Sequence, residues 1–484
     1  MTKLKKNFIL VLIQQFFLLG LPFLTIPYIS RVLGPEGVGL YSYSFSIVTL
    51  FINIALLGSQ LYAVREVAKV KDEHSKLSKV FSEIFIIRTG LILVSLVVYL
   101  GVVSFVSADN IIFLLQALHL IGTLFDITWF FQGIEDFKKV VTRNIFIKLL
   151  GFLSVFIFVK DEDDLIIYTL IMAASVLLGN IVLFYKLNSK VTFKFFIKSC
   201  TIRKHIKHMV ILFIPSFSVM IYSVLDKTML GSLSTTSQLG FYEQGSKLVL
   251  MIFSIVGISG TVMLPRSSAL IADNNLKKLY DTLKYGINLT LYLVIPLTLG
   301  LIIISEDFVL WFLGNDFQPS ASIVVLMAPI IIFKSIGVIF GSWYFVPMEK
   351  NKEYTLPIVL GAILNFILNL VLIPEYKATG AATATLITEL IILIIQIYFL
   401  RSILDIRDIL VKGVLKYLLI SGITVCIVNL FVNYLGSAGL ISIILKVSFS
   451  ISIYGLVLFV IRDKLTLHIT RSILKNKLLK KNLK

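Results

Sequence analysis

Val80–Ser107 reads VFSEIFIIRTGLILVSLVVYLGVVSFVS. A helix rises about 1.5 Å per residue, so roughly 20 apolar residues cross the ~30 Å hydrocarbon core of a bilayer, and this stretch is long enough even with Arg88 inside it. Outward from it the pattern recurs: 8–30, 40–63, 111–133, 145–160, 165–187, 209–232, 239–264, 287–304, 321–345, 356–374, 381–400, 417–435 and 439–461 each read as a transmembrane helix, about fourteen with 80–107. Backbone groups in lipid find no water, so each must be satisfied within its own segment, and the expected fold is an all-α integral membrane protein. Composition agrees. Of 484 residues 57% are hydrophobic and 15% charged, with a mean hydropathy of +0.95, which leaves too little polar surface for a water-soluble globule. Lys3, Lys5 and Lys6 ahead of the run from Phe8 resemble a secretory signal, but no small-residue cleavage site follows, so the run reads as a retained first helix.

A net charge of +18 raises the question of nucleic acid. The basic residues instead fill short segments between apolar runs, where they orient helices; nucleic acid is not an expected partner. With the amino terminus inside, most of the 45 Lys and Arg fall on the inner side, while Asp161-Glu162-Asp163-Asp164 and Glu306-Asp307 fall outside. Both termini are therefore expected in the cytoplasm, in the plasma membrane, with the basic tail from Arg462 to Lys484 on the anionic inner surface. Val38-Gly39-Leu40-Tyr41, opening the second span, echoes Leu239-Gly240-Phe241-Tyr242, opening the eighth. The echo suggests two six-helix lobes in parallel pseudo-repeat, 1–208 and 209–400, then two further spans in 401–461 and the tail 462–484.

Soluble-enzyme chemistry finds no footing. GxxxxGK[ST], GxSxG, HExxH and paired CxxC are absent, so neither catalysis nor direct ATP hydrolysis is expected. Asp161-Glu162-Asp163 spells a metal-binding DxD but reads as a solvated acidic turn. His205 and His208 lack neighbouring carboxylates or thiols in sequence, and Cys200 and Cys426 suggest no disulfide or zinc site. No metal or cofactor is expected.

What remains is the ionisable set inside the spans, where a charge costs several kcal/mol unless it faces protein, water or a partner. Arg31, Arg88, Asp126, Lys148, Asp226, Lys227, Lys334 and Glu389 are the candidates to line a substrate cavity. Lys148, Lys227 and Lys446 lie within reach of an interface and can snorkel, and Glu243 with Lys247 has the spacing of an intrahelical pair. Lys334, Glu389 and Asp126 sit deeper. His119 is seven residues before Asp126 on nearly the same face; His119, Asp126 and Glu389 are the candidates to hold a coupling proton or sodium ion. Pro22, Pro27, Pro215, Pro296, Pro329 and Pro357 predict bent helices. Gly337 and Gly341 form a GxxxG suited to close helix packing.

Arg31-Val-Leu-Gly-Pro-Glu-Gly-Val-Gly-Leu-Tyr, Leu225-Asp226-Lys227 with Leu230-Gly231 and Gly240-Phe241-Tyr242, and Asn369-Leu-Val-Leu-Ile-Pro374 followed by Thr379-Gly-Ala-Ala-Thr-Ala384 resemble the Wzx-type polysaccharide transporters, in order along nearly the whole chain. The resemblance implies a fold like that of the multidrug and toxin extruders, two six-helix lobes around a central cavity. It implies as substrate an undecaprenyl-diphosphate-linked oligosaccharide, turned from the inner to the outer leaflet for capsule, exopolysaccharide or O-antigen. Membrane lipids, a polysaccharide polymerase and other assembly proteins are the partners it implies. Arg31 and Asp226-Lys227 match family motifs; Arg88, Lys334 and Glu389 rest on burial cost alone. Two rivals are an ion-coupled multidrug extruder of the same fold and a membrane polysaccharide polymerase or ligase. The latter usually carries a large external loop, whereas the longest external connection here is 305–320.

Overall fold

The computed structural model describes residues 3–106, 111–187, 190–192, 199–401, 406–437, 439–467 and 470; side chains are described for these except 3–16, 18, 19, 106, 199–201, 211, 212, 214–223 and 406–409. The side chains of Pro215 and Cys200 and nearly all of the tail beyond Thr466 thus lie outside the described residues.

The described chain is helical throughout. In order come α1 (Lys3–Leu56), α2 (Ser59–Val70), α3 (His74–Val106), α4 (Ile111–Leu124), α5 (Thr128–Gly133), α6 (Phe137–Phe158) and α7 (Leu165–Tyr185). They continue with α8 (Ser199–Leu233), α9 (Thr236–Ala272), α10 (Leu276–Leu313), α11 (Ser320–Met327), α12 (Ile330–Val338), α13 (Asn351–Leu400), α14 (Ile406–Tyr434) and α15 (Gly439–Val460). Among the described residues ten helices are long and apolar enough to cross a bilayer, or eleven when α11 and the helix from Ile330 to Phe345, bent by 41° at Pro329, are taken as one span. Large apolar side chains face outward, Val97 at 70% exposed, Leu430 at 73% and Ile451 at 69%, a surface that suits lipid and not water.

The breaks have local causes. Two expected spans share α1, divided at Gly34 (φ 62°, ψ 179°). Pro35 offers no amide to the preceding turn, and its ring pushes the residue before it out of the helical region, where glycine pays no steric penalty. Two more share α13, divided at Lys377 (φ 51°, ψ −124°), three residues past Pro374. The fourth expected span is not continuous: it breaks at Phe125–Ile127 between α4 and α5, a position no proline or glycine marks. Past Val338 the helix widens to a π-helical stretch, Ile339–Phe345, in which Gly341 passes under the ring of Tyr354. The acidic stretch is an exposed turn at the start of α7; the Asp164 carboxylate accepts from the Lys160 amide at 2.7 Å and the Asp161 amide at 3.2 Å.

Two compact units emerge, one from 1–243 with 366–378, the other from 244–365 with 379–484. The first packs around Tyr62, Phe81, Trp129, Phe130 and Phe131, with Leu183 and Met209 closing over them. The second packs around Leu283, Ile287, Leu291, Phe340, Trp343 and Tyr344, with Tyr417 from α14 and Tyr454 from α15. Outside the membrane segments, Asp463 anchors the end of α15 by accepting from Lys416 and from the Thr466 amide.

Within the first unit the two echoed motifs meet. A Cβ on Gly39 would lie 1.8 Å from the Thr236 carbonyl oxygen, and one on Gly240 would lie 2.0 Å from the Pro35 carbonyl oxygen, so the start of α9 and the second half of α1 touch backbone to backbone. Nearby, Gly231 receives the ring of Tyr43, and Ser46 Oγ lies 2.9 Å from Thr228 Oγ1. Only a residue without a side chain fits such a crossing. Gly39→Ala and Gly240→Ala are each expected to lower stability by about 1–3 kcal/mol or more, read as a drop in melting temperature of the purified protein. Gly90→Ala, where nothing lies within 4 Å in mid-helix, is expected to stay level or rise.

Candidate functional site

Arg88, on α3, is 2% exposed and held on three sides. Nη1 donates to Ser59 Oγ at 2.9 Å, Nη2 lies 3.5 Å from Asp126 Oδ2, and the guanidinium stands 5.7 Å from the centre of the Trp129 ring. The break between α4 and α5 is what delivers Asp126: its Oδ1 accepts from the Thr128 amide at 3.0 Å, and its carbonyl accepts from Trp129 Nε1 at 3.1 Å. A short acidic side chain that bonds the backbone two residues on stabilises a turn in place of a helix. Arg143 braces the same turn, donating to Thr128 Oγ1 at 3.0 Å and to Asn180 Oδ1 at 2.8 Å. Asp126 is thus paired with Arg88, while His119 is buried edge-on to Phe45 with its Nε2 lacking a hydrogen-bond partner.

Asp226 and Lys227 follow each other on α8 and point about 100° apart around the helix. Asp226 accepts from Tyr242 Oη at 2.9 Å and from Asn369 Nδ2 at 2.6 Å, which fastens α8 to α9 and to the 366–378 part of α13. Lys227 Nζ lies 2.8 Å from Glu243 Oε2, a carboxylate that is 6% exposed. Arg31 and Lys148 are exposed; Arg31 Nη1 donates to the Pro27 carbonyl at 3.3 Å.

The second unit repeats the theme. Lys334 Nζ and Glu389 Oε1 are 2.5 Å apart with both side chains largely buried, joining α12 to α13. Lys446, which its distance from a span end would allow to snorkel, is buried and meets Asp307 at 2.9 Å, with Ser442 donating to the same carboxylate at 2.8 Å. Among the described residues four cations of the spans each meet a carboxylate: Arg88 with Asp126, Lys227 with Glu243, Lys334 with Glu389, Lys446 with Asp307. Such a pair holds its site near neutral, and an anion or a proton can act there by exchanging one partner.

Sequence reasoning passes over one cluster. His205 of α8 is buried with Tyr62 of α2 and Glu83 of α3. Only the three-residue spacing of His205 and His208 is visible along the chain, and it does not reveal partners more than a hundred residues earlier. Among the described residues no three His, Cys, Asp or Glu side chains gather as they would around a metal ion.

The helix order and breaks are those of a multi-pass carrier. The chain superposes on a lipid II flippase MurJ in an inward closed conformation with a TM-score of 0.73 at 18% identity, covering 94% of this chain and all of that one. On an inward-facing transporter of the multidrug resistance MATE family the score is 0.63 at 12% identity, covering 82% and 95%. The fold is thus the MATE-like all-α membrane fold. In sequence, 4–271 match the model of the polysaccharide biosynthesis protein family, and the chain belongs to that family, the Wzx-type transporters. It is 23% identical over 405 residues to a putative O-antigen transporter of Escherichia coli K12, covering 82% of this chain and 97% of that one. It is also 23% identical over 415 residues to a probable low-salt glycan biosynthesis flippase of Haloferax volcanii, covering 84% and 85%.

Arg88→Met takes from Asp126 its ion-pair partner and is expected to cost about 3 kcal/mol, read by thermal unfolding in detergent. Arg88→Met with Asp126→Asn should recover part of the loss; equal destabilisation in single and double variants would show that the ion pair is not the source.

Proposed function

We propose that this chain turns an undecaprenyl-diphosphate-linked oligosaccharide from the inner to the outer leaflet of the plasma membrane, supplying repeat units for surface polysaccharide. The observation that carries this reading is the near end-to-end relation to a putative O-antigen transporter, 97% of which is covered. The physics accords with it: a diphosphate and a row of hydroxyls cannot cross ~30 Å of hydrocarbon unaided, whereas the prenyl tail can stay in lipid while a polar passage carries the head. Both termini face the cytoplasm in this reading, because the basic connections resist translocation.

Arg31 and Lys148, exposed on their helices, are the cations ready to meet a diphosphate. Lys334 and Arg88 would meet it by exchanging a carboxylate for a phosphate, and Asp226-Lys227 by way of the ties they make to α9. Glu389, Asp126 and His119 are the groups proposed to take a coupling proton or sodium ion, since the chain carries no nucleotide-binding loop to drive the cycle. A polysaccharide polymerase and other assembly proteins would draw the product onward outside.

Cells lacking the gene are expected to accumulate lipid-linked glycan and lose surface polysaccharide with unchanged drug tolerance; the reverse pattern would identify an extruder. Lys334→Ala and Arg31→Ala, inserted normally, are each expected to lower export about tenfold, the factor for one charge-assisted contact. Normal surface polysaccharide in both would remove these side chains from the pathway.

A further inference from the structure

One buried titratable cluster stands apart from the groups already assigned. His205 Nδ1 lies 2.7 Å from Tyr62 Oη, and His205 Nε2 lies 3.2 Å from Glu83 Oε2. All three residues are nearly inaccessible: Tyr62 at 2%, Glu83 at 4% and His205 at 6%. They come from three helices, α2, α3 and α8, at the end of the bundle where the basic connections lie. Phe81, Val67, Leu77 and Met209 pack in the same apolar cluster and keep water away.

We propose that Tyr62, Glu83 and His205 form a proton-binding site, and that its occupancy sets how firmly the start of α8 is held against α2 and α3. The hydrogen-bonding inventory supports both states of such a site. With a neutral imidazole, Nε2–H donates to the ionised Glu83 carboxylate and Nδ1 accepts from the Tyr62 hydroxyl, so the trio is satisfied with a net charge of −1. A proton added at Nδ1 donates to the Tyr62 oxygen, whose own hydrogen rotates away; the trio becomes a neutral imidazolium–carboxylate pair. Uptake therefore needs no rearrangement beyond one hydroxyl rotation. The proton belongs to the pair and not to one residue. Among the described residues His205 is the one basic group within salt-bridge distance of Glu83.

The surrounding charges leave this competition open. From α2, Arg65 and Glu66 act on Tyr62, but Glu66 is engaged with Arg65 at 3.4 Å and Lys69 at 2.7 Å. From α8, the His208 ring stacks on Tyr62 with centroids 6.0 Å apart, and Arg203, Lys204 and Lys207 are exposed. From α3, Lys76 and Lys79 are exposed; α5, which packs on the same cluster, carries no titratable side chain, and on the 186–192 connection Lys186 and Lys190 are exposed.

The site lies where the helices have a joint to hold. Gly58 (φ 68°) turns the chain from α1 into α2, and a Cβ there would lie 2.8 Å from the Met209 carbonyl oxygen and 2.7 Å from the Phe213 amide nitrogen. The first turns of α8 thus press on that joint directly, with His205 one turn before Met209. Protonation turns the Nε2–H···Glu83 bond into an imidazolium–carboxylate pair and so tightens this clamp; the deprotonated site keeps a weaker bond from a neutral donor to the same carboxylate. His205 and Glu83 are positioning residues in this account: they act on the cycle through α8 and need not touch the transported molecule.

The test uses the full chain in lipid nanodiscs without substrate, so its outcome is independent of the flippase reading. With Cys200→Ser and Cys426→Ser, spin labels at Lys69→Cys and Lys204→Cys, both exposed positions, report the α2–α8 distance by pulsed electron resonance between about pH 5.5 and about pH 8.5. The expected result is a distance distribution that narrows as pH falls, with proton uptake over the same range. His205→Gln and Glu83→Gln, which keep a hydrogen-bonding side chain, are each expected to lose the pH response and the uptake while remaining folded. A purely structural trio would respond alike in wild type and variants, which overturns the proposal, as does a wild type that shows no response. Should one variant fail to fold, the other decides.

Discussion

A charge drawn into a medium that cannot solvate it has to find its counter-charge inside the protein, and this constraint runs through both units. Arg88 reaches Asp126 because a helix breaks to present the carboxylate; Lys334 and Glu389 meet because α12 and α13 pack with those turns facing. Each pair fixes the rotation of two helices about their axes, since turning either by one residue would strand a charge in an apolar environment at a cost of several kcal/mol. Dispersion and apolar burial bring such helices together without specifying which faces meet, because lipid tails are as apolar as leucine. The ion pairs supply the missing specificity.

Small residues work alongside them. Where Gly39 and Gly240 cross there is no side chain at all between two backbones, and where Gly231 faces Tyr43 a ring occupies the space a Cβ would need. These contacts let α1, α8 and α9 approach closely enough for Asp226, Tyr242 and Asn369 to bond across them. Packing and polar contacts therefore depend on each other: the glycines set the separation, and the hydrogen bonds fix the register.

The membrane class and nearly every helix were legible in the chain, because the thickness of hydrocarbon imposes a length and the period of the helix imposes little else. The break at Gly34-Pro35 was legible for the same local reason. The break around Asp126 was not: one Asp bonding the backbone two residues on is a weak local signal inside an apolar run, and the partners that hold the turn, Arg88 and Arg143, are distant in sequence. Buried charges could be named one at a time, but their pairing could not: Lys334 and Glu389 are separated by a whole helical span. Read one at a time they were candidates only; the structure matches four of the cations to carboxylates. Glu83, near the entry of its span, carried no signal of the imidazole that waits for it on α8.

The first compact unit takes in 366–378, well over a hundred residues beyond the rest of it. A ribosome delivers the chain from its amino terminus, so the early helices enter the bilayer long before Asn369 exists to bond Asp226. Until then the amino-terminal bundle carries a carboxylate lacking one of its donors, with a neighbouring strip of helix surface uncovered, and final assembly must wait for a segment made late. Biogenesis of this half of the molecule is therefore not a matter of adding finished blocks in order; it closes backwards, from a later helix onto an earlier one.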